Sequence, residues 1–121
     1  SIVHPERNSV FRQDPNRLLP FLEMGALTQL TAPSIVGVFG SDIQKTARQM
    51  LEHRMLYMVA SDAHSLKNRN FFMKEAYREI QKIGGKQMVG DMQQMAKDLV
   101  NGDPVVRPNY QAVRMARFKL F

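Results

Sequence analysis

The sequence predicts an α/β fold, because short apolar runs typical of buried strands alternate with amphipathic stretches typical of helices. The clearest strand candidate is residues 56–60, five residues without a charge, which suit a strand buried on both faces. Residues 26–31 are a second, more polar candidate, and residues 1–4 are predicted to be the end of a third strand. Strands separated by helices in this way are expected to run parallel, joined by right-handed crossovers.

The spacing of apolar residues predicts four helices. The first follows an aspartate and a proline at 14–15, an N-cap with proline at the first helical position, and the second follows Ser41. The third is closed by two glycines at 84–85, and the fourth ends at 101–102. Their apolar positions are Leu18, Leu19 and Leu22, then Ile43, Ala47, Met50 and Leu51, then Phe72, Ala76, Ile80 and Ile83, and finally Met92, Met95, Ala96, Leu99 and Val100.

Two segments between these elements, residues 32–40 and 65–70, are predicted to be loops. The first would expose the apolar side chains of Val36, Val38 and Phe39 unless they line something. Pro20 falls inside the first predicted helix, where a proline should remove one backbone hydrogen bond and kink the helix. Residues 103–121 are predicted to form an extended tail with a basic end.

The composition is that of one globular domain of 121 residues, with 44% hydrophobic and 23% charged residues. No apolar run approaches the roughly 20 residues that a membrane-spanning helix needs, so no membrane span is expected. Cysteine is absent, which excludes disulfides and thiol catalysis and is compatible with the cytoplasm, the expected location. The chain starts with Ser1 in the predicted end of a strand, so we expect it to be a single segment, residues 1–121, of a longer protein.

Basic residues exceed acidic ones by 17 to 11, which gives a formal net charge of +6. An anionic partner is one explanation. Most of these charges are scattered over the predicted helix faces, however, and no aromatic residues alternate with them as single-stranded nucleic acid would require. Nucleic-acid binding is therefore not expected.

Polar side chains follow the predicted strands at the point where each strand ends. His4 and Thr31 end the first two, and Asp62 and His64 follow the third. Since the carboxyl ends of parallel strands share one edge, these residues should meet there. Asp62 and His64 lie two apart, so an extended backbone would aim both at one point. A carboxylate with imidazole suits Zn, Mn or Fe, although an Asp-x-His pair is also typical of an ordinary strand end.

The remaining polar residues near these strand ends have two interpretations each. Arg7 and Arg69 are either solvated charges or guanidinium forks for a phosphate. His53, near a helix end, is better explained by the helix dipole than by metal binding. The role of Glu6 stays open. The nine methionines of the sequence are mostly at core spacings.

Four motifs together resemble a known family. They are His4-Pro5-Glu6-Arg7-Asn8, Gly25-Ala26-Leu27-Thr28-Gln29, Phe39-Gly40, and Ser61-Asp62-Ala63-His64 followed by Arg69. In this order the chain resembles the carboxyl-terminal half of the bacterial PHP-type (polymerase and histidinol phosphatase) protein-tyrosine phosphatases, which accompany capsule and exopolysaccharide synthesis. The resemblance implies a partial distorted (β/α)7 TIM-like barrel, the PHP fold, of which only the carboxyl-terminal portion is present.

The resemblance also implies a site and a reaction. In the family, a cluster of divalent metals, usually Mn2+, activates a water for attack on phosphate, and Fe or Zn are alternatives. By likeness His4, Asp62 and His64 would be metal ligands, Arg7, Asp62 and His64 catalytic residues, and Arg7 and Arg69 phosphate-binding residues. The implied substrate is the phosphotyrosine tail of a bacterial tyrosine autokinase.

One departure from the family pattern limits this expectation. The family begins with a His-x-His strand and adds further His and Glu ligands, which this chain lacks, and a complete barrel needs about 250 residues. We therefore expect the isolated chain to bind metal weakly, to turn over poorly, and to pair with a second copy or with the missing amino-terminal half. Two other functions remain open: a phosphoesterase for a small phosphorylated metabolite, and a non-catalytic interaction domain that retains part of the motif.

Overall fold

Three short strands form a parallel sheet in the order β1-β2-β3. The computed structural model describes residues 2–61, 65–104 and 110–113, without the side chain of Leu66. The strands are β1 (Ile2–Val3), β2 (Thr28–Thr31) and β3 (Met58–Ala60). Their parallel pairing and their positions confirm the strand predictions, although each strand is shorter than predicted.

Helices connect the strands and make up most of the described residues. They are α1 (Ser9–Gln13), α2 (Leu19–Glu23), α3 (Ala32–Val36), α4 (Ser41–Glu52) and α5 (Leu66–Asn101), with 3-10 turns at Pro5–Arg7 and Pro15–Leu18. The result is a mostly helical α/β fold with a small parallel sheet. In the part of the chain that the structure describes, no helix is both long enough and apolar enough to cross a membrane.

Pro20 does not kink a helix, so that prediction was wrong. The segment predicted as the first helix begins instead with a 3-10 turn at Pro15–Leu18. The side chain of Asp14 accepts a hydrogen bond from the Asn16 amide at 3.1 Å, as predicted for an N-cap. A new helix, α2, begins at Leu19. Pro20 therefore lies in a first turn, where an amide would have no helical partner and proline costs little.

The predicted loop at residues 32–40 contains a helix, which is a second correction. Pro33 lies in the first turn of α3, and Gly37, with a φ of 102°, ends it in the left-handed conformation that glycine adopts without a steric penalty. Ala32 and Ile35 are fully buried. A helix of five residues is too short to display a periodic apolar pattern, so its sequence resembles a loop.

The predicted loop at residues 65–70 is also helical. The Ser65 side chain accepts a hydrogen bond from the Asn68 amide at 3.1 Å, so α5 begins at Leu66, one turn or more before the predicted start. The predicted interruption at residues 84–85 is confirmed by Gly85, which has a φ of 77° within α5. Gly102, also left-handed, ends the helix as predicted.

The core lies between the sheet and the helices α3, α4 and α5. Its fully buried side chains include Leu30, Ile35, Met50, Tyr57 and Ile80, and the buried methionines at 55, 58, 88, 92 and 95 confirm that this residue type serves packing. On the surface Arg48 of α4 donates to Glu79 of α5 at 3.1 Å. Hydrogen bonds from Lys82 and from Arg48 hold the pKa of Glu79 below its ordinary value.

Of the predicted tail, the structure describes residues 103–104 and 110–113, and the latter contact this core. Asn16 exchanges two hydrogen bonds with the backbone of Val113, at 2.9 and 2.7 Å, and the Gln111 amide donates to the carbonyl of His53 at 2.8 Å. The His53 ring itself lies at the end of α4, with Nδ1 2.8 Å from the Gln49 carbonyl, as expected for a histidine that interacts with a helix carboxyl end.

Two glycines of α5, Gly85 and Gly90, should respond in opposite ways to alanine. Gly85 has a φ of 77°, whereas a Cβ at Gly90 would meet no atom within 4 Å. We expect Gly85→Ala to destabilise the protein by about 1–2 kcal/mol because alanine strains that backbone. Gly90→Ala should stabilise it by up to about 1 kcal/mol through helix propensity. Urea unfolding measures both, and a stabilising Gly85→Ala would contradict the interruption of α5.

Candidate functional site

The carboxyl ends of the three strands lie along one edge of the sheet. Val3 pairs with Gln29 and Thr31 pairs with Ala60, so the residues that follow β1, end β2 and follow β3 lie along this edge. We call this edge, with the turn 4–7, the strand-end site. It contains His4 after β1 and Thr31 at the end of β2, as the sequence predicted.

His4 begins a tight turn directly after β1. Its amide donates to the Gln29 carbonyl at 2.8 Å, and its own carbonyl accepts from the Arg7 amide at 3.0 Å. The residue is half-buried and has a φ of 39° and a ψ of 59°, a left-handed conformation that is uncommon for a residue other than glycine. That conformation costs about 1–2 kcal/mol, which the surrounding hydrogen bonds must offset. It turns the chain sharply, so that the next residues fold back over the strand ends.

The buried side chain of Glu6 joins this turn to β2. Its side chain is fully buried, and Oε2 accepts a hydrogen bond from the Thr31 amide at 3.0 Å. The bond joins the turn after β1 to the last residue of β2. In the described part of the chain, Oε1 and the Ser34 hydroxyl have no hydrogen-bond partner.

The carboxyl of Glu6 is electrostatically unusual. Burial raises its pKa above the ordinary value, and the hydrogen bond from the Thr31 amide offsets this only in part. The role of Glu6 is open from the sequence alone, because the burial of a carboxylate depends on packing against residues distant in the chain. Its place at a predicted strand end was the one available signal.

Arg7 lies at the end of the same turn and is half-buried. Its guanidinium carbon is 4.5 Å from the centroid of the Phe39 ring, a cation–π contact. Phe39 belongs to the short connection between α3 and α4. This contact fixes the position of a cation three residues from His4.

Arg69, the second predicted phosphate-binding residue, lies on another element. It is exposed in the first turn of α5, and its amide donates to the Ser65 carbonyl at 3.0 Å. Lys67 is also exposed there.

Asp62 and His64 lie outside the described residues. The chain places them two and four residues beyond Ala60, the last residue of β3. Within the residues that the structure describes, no three His, Cys, Asp or Glu side chains form a group that could hold a metal ion. The described part of the strand-end site therefore contains one predicted metal ligand, His4, and one predicted phosphate-binding residue, Arg7.

Comparison with known proteins gives a consistent family. Residues 1–100 match the family described as capsular polysaccharide synthesis, CpsB/CapC. The chain is 35% identical to the tyrosine-protein phosphatase YwqE of Bacillus subtilis over 120 residues, which is 99% of this chain and 46% of the relative. It is 33% identical to the tyrosine-protein phosphatase CpsB of Streptococcus pneumoniae, over 69% of this chain and 37% of the relative.

A solved structure agrees with these relatives. The fold is similar, with a TM-score of 0.86 and 33% identity, to a chain from the crystal structures of YwqE and CpsB, described as unique metal-dependent tyrosine phosphatases. The match covers 94% of this chain and 46% of that chain. This chain thus spans about half the length of the proteins it resembles.

Removal of the Glu6 carboxyl should loosen the turn at the strand-end site. We expect Glu6→Ala in the complete protein to lower the free energy of unfolding by about 1–3 kcal/mol, because the Thr31 amide loses its buried acceptor. Glu6→Gln keeps an acceptor oxygen and should cost less. Urea unfolding measures both variants, with Glu23→Ala as an exposed control expected to stay within about 0.5 kcal/mol of wild type. A Glu6→Ala protein as stable as this control would contradict the anchoring role.

Proposed function

Because this chain belongs to the CpsB/CapC family of capsular polysaccharide synthesis, we propose that it is part of a metal-dependent protein-tyrosine phosphatase. The observation that supports the proposal is the turn 4–7, in which His4 and Arg7 lie three residues apart directly after the carboxyl end of β1. The names of the relatives, tyrosine-protein phosphatases of three bacterial genera, support the same activity.

The complete protein, we propose, is a distorted (β/α)7 barrel of the PHP type, to which residues 1–121 contribute the carboxyl-terminal strands and helices. Parallel strands joined by helices, as in β1 to β3, are the building units of such a barrel. β1 is an outer strand of the sheet, and its Val3 is 52% exposed. We expect the outer side of β1 to be covered by the rest of the barrel or by a second copy of the chain.

His4, Asp62 and His64 would hold a divalent cation. Two imidazoles and a carboxylate suit Mn2+, the expected metal, and also Fe or Zn. The position of His4 fits this role because the residue directly follows β1 and its backbone forms hydrogen bonds with Gln29 and Arg7. A bound cation would neutralise phosphate charge and lower the pKa of a water.

Arg7 and Arg69 would bind the phosphate group. A guanidinium donates two parallel hydrogen bonds to phosphate oxygens and stays charged at any physiological pH. Since Arg7 is fixed by the Phe39 ring, little side-chain freedom would be lost on binding. Its charge would then lie next to the negative charge that grows as the phosphate is attacked.

Phosphotyrosine suits this set of residues. Its leaving group is a phenolate with a pKa of about 10, so charge neutralisation and an activated water suffice and no strong general acid is required. The chain has no cysteine, and the mechanism proposed requires none. We propose the tyrosine-rich tail of a bacterial autokinase as the substrate, and the net charge of +6 is complementary to a phosphorylated tail.

Hydrolysis of a phosphotyrosyl peptide by the complete protein with Mn2+ tests this proposal. We expect kcat to fall by about 100-fold or more in His64→Ala, through loss of a metal ligand. In Arg7→Ala we expect kcat/KM to fall by about 100-fold or more through loss of a charge-assisted phosphate contact. Arg12→Ala, an exposed arginine of α1, is the matched control and should match wild type.

Metal removal supplies the second arm of this experiment. A chelator should abolish hydrolysis, and added Mn2+ should restore it in wild type but not in His64→Ala. Equal activity in wild type, His64→Ala and Arg7→Ala would disprove the proposed site. Activity only on a small phosphorylated metabolite would disprove the proposed substrate while leaving the site intact.

A further inference from the structure

The connection between α3 and α4 carries two exposed apolar side chains. It runs from Gly37 to Gly40, and both glycines have left-handed φ angles, of 102° and 103°. Between them Val38 is 55% exposed and Phe39 38% exposed. Neither side chain belongs to the buried core of the described residues.

Among the described residues, the environment of Phe39 differs from that of Phe21 and Phe71, which are also exposed. Phe21 packs edge-on against Phe11, with the ring centroids 6.1 Å apart, and Phe71 packs against Phe72 at 5.6 Å. Phe39 instead contacts the guanidinium of Arg7, 4.5 Å from its ring centroid. An aromatic ring is therefore held beside the cation that would bind the phosphate.

A phosphate monoester bound by Arg7 would bring the organic substituent on its ester oxygen close to this ring. In phosphotyrosine that substituent is a phenyl ring, and aromatic rings attract one another by offset or edge-on packing. In an alkyl phosphate the same position holds a small aliphatic chain that gains much less from the contact. The same arginine would bind both phosphates, so the neighbouring ring would decide between them.

We propose that Phe39, with Val38 beside it, forms the apolar wall that selects aryl over alkyl phosphate esters at the strand-end site. This inference rests on the proposed phosphatase function and names the residue that determines its substrate class. The two flanking glycines, both with left-handed φ angles, allow the short connection to expose both side chains to solvent.

Two phosphonates, which cannot be hydrolysed, separate recognition from catalysis. Binding of phenylphosphonate and of methylphosphonate to the complete protein with Mn2+ is measured by calorimetry. We expect Phe39→Leu to weaken phenylphosphonate binding about five- to tenfold and to change methylphosphonate binding less than about twofold. Phe39→Tyr keeps a ring and should retain the wild-type preference.

Phe21→Leu is the matched control, because Phe21 is 41% exposed and lies on α2. It should leave the binding of both phosphonates unchanged. If Phe39→Leu weakens both phosphonates equally, the ring only supports Arg7, and the proposal is overturned. A wild-type protein that binds phenylphosphonate no more tightly than methylphosphonate overturns it as well.

Turnover of phosphotyrosyl and phosphoseryl peptides of one sequence completes the test. We expect Phe39→Leu to lower the ratio of the two kcat/KM values by the same five- to tenfold or so. Failure of wild type to hydrolyse either peptide would reject the proposed function, whereas the phosphonate preference would still decide the role of Phe39.

Discussion

Parallel pairing of three short strands is the constraint on which this fold and its site depend. In a parallel sheet the carboxyl ends of all strands lie on the same side. Strand pairing alone therefore brings together polar residues that are distant in sequence. The pairing of Thr31 with Ala60, and of Val3 with Gln29, thereby places His4 at one edge with the segment that leads from β3 toward Asp62 and His64.

The buried carboxyl of Glu6 converts this proximity into a fixed geometry. An uncompensated polar group in the interior is unfavourable, and Glu6 is fully buried with only one of its oxygens hydrogen-bonded in the described part of the chain. What that burial provides is a link from the turn after β1 to the end of β2. His4 before it and Arg7 after it belong to the same short turn. The strained backbone of His4 thus lies where two proposed functional residues must be positioned.

The sequence predicted the features that depend on strand and helix periodicity. Parallel strands, the helix stop at Gly85 and the place of His4 at a strand end follow from local rules and are found in the structure. The α3 helix and the early start of α5 were missed because five residues or a polar first turn carry no periodic signal. The Phe39–Arg7 contact and the burial of Glu6 were not predictable, because both depend on packing between separate elements.

We propose that His4 and the pair Asp62 and His64 bind one cation cluster at the carboxyl ends of the strands. Anomalous diffraction from crystals of the complete protein grown with Mn2+ locates the metal. We predict manganese within direct coordination distance of an imidazole nitrogen of His4, in the same cluster that Asp62 and His64 contact. Manganese bound elsewhere, or bound by Asp62 and His64 with the His4 ring turned away from the cluster, would contradict it.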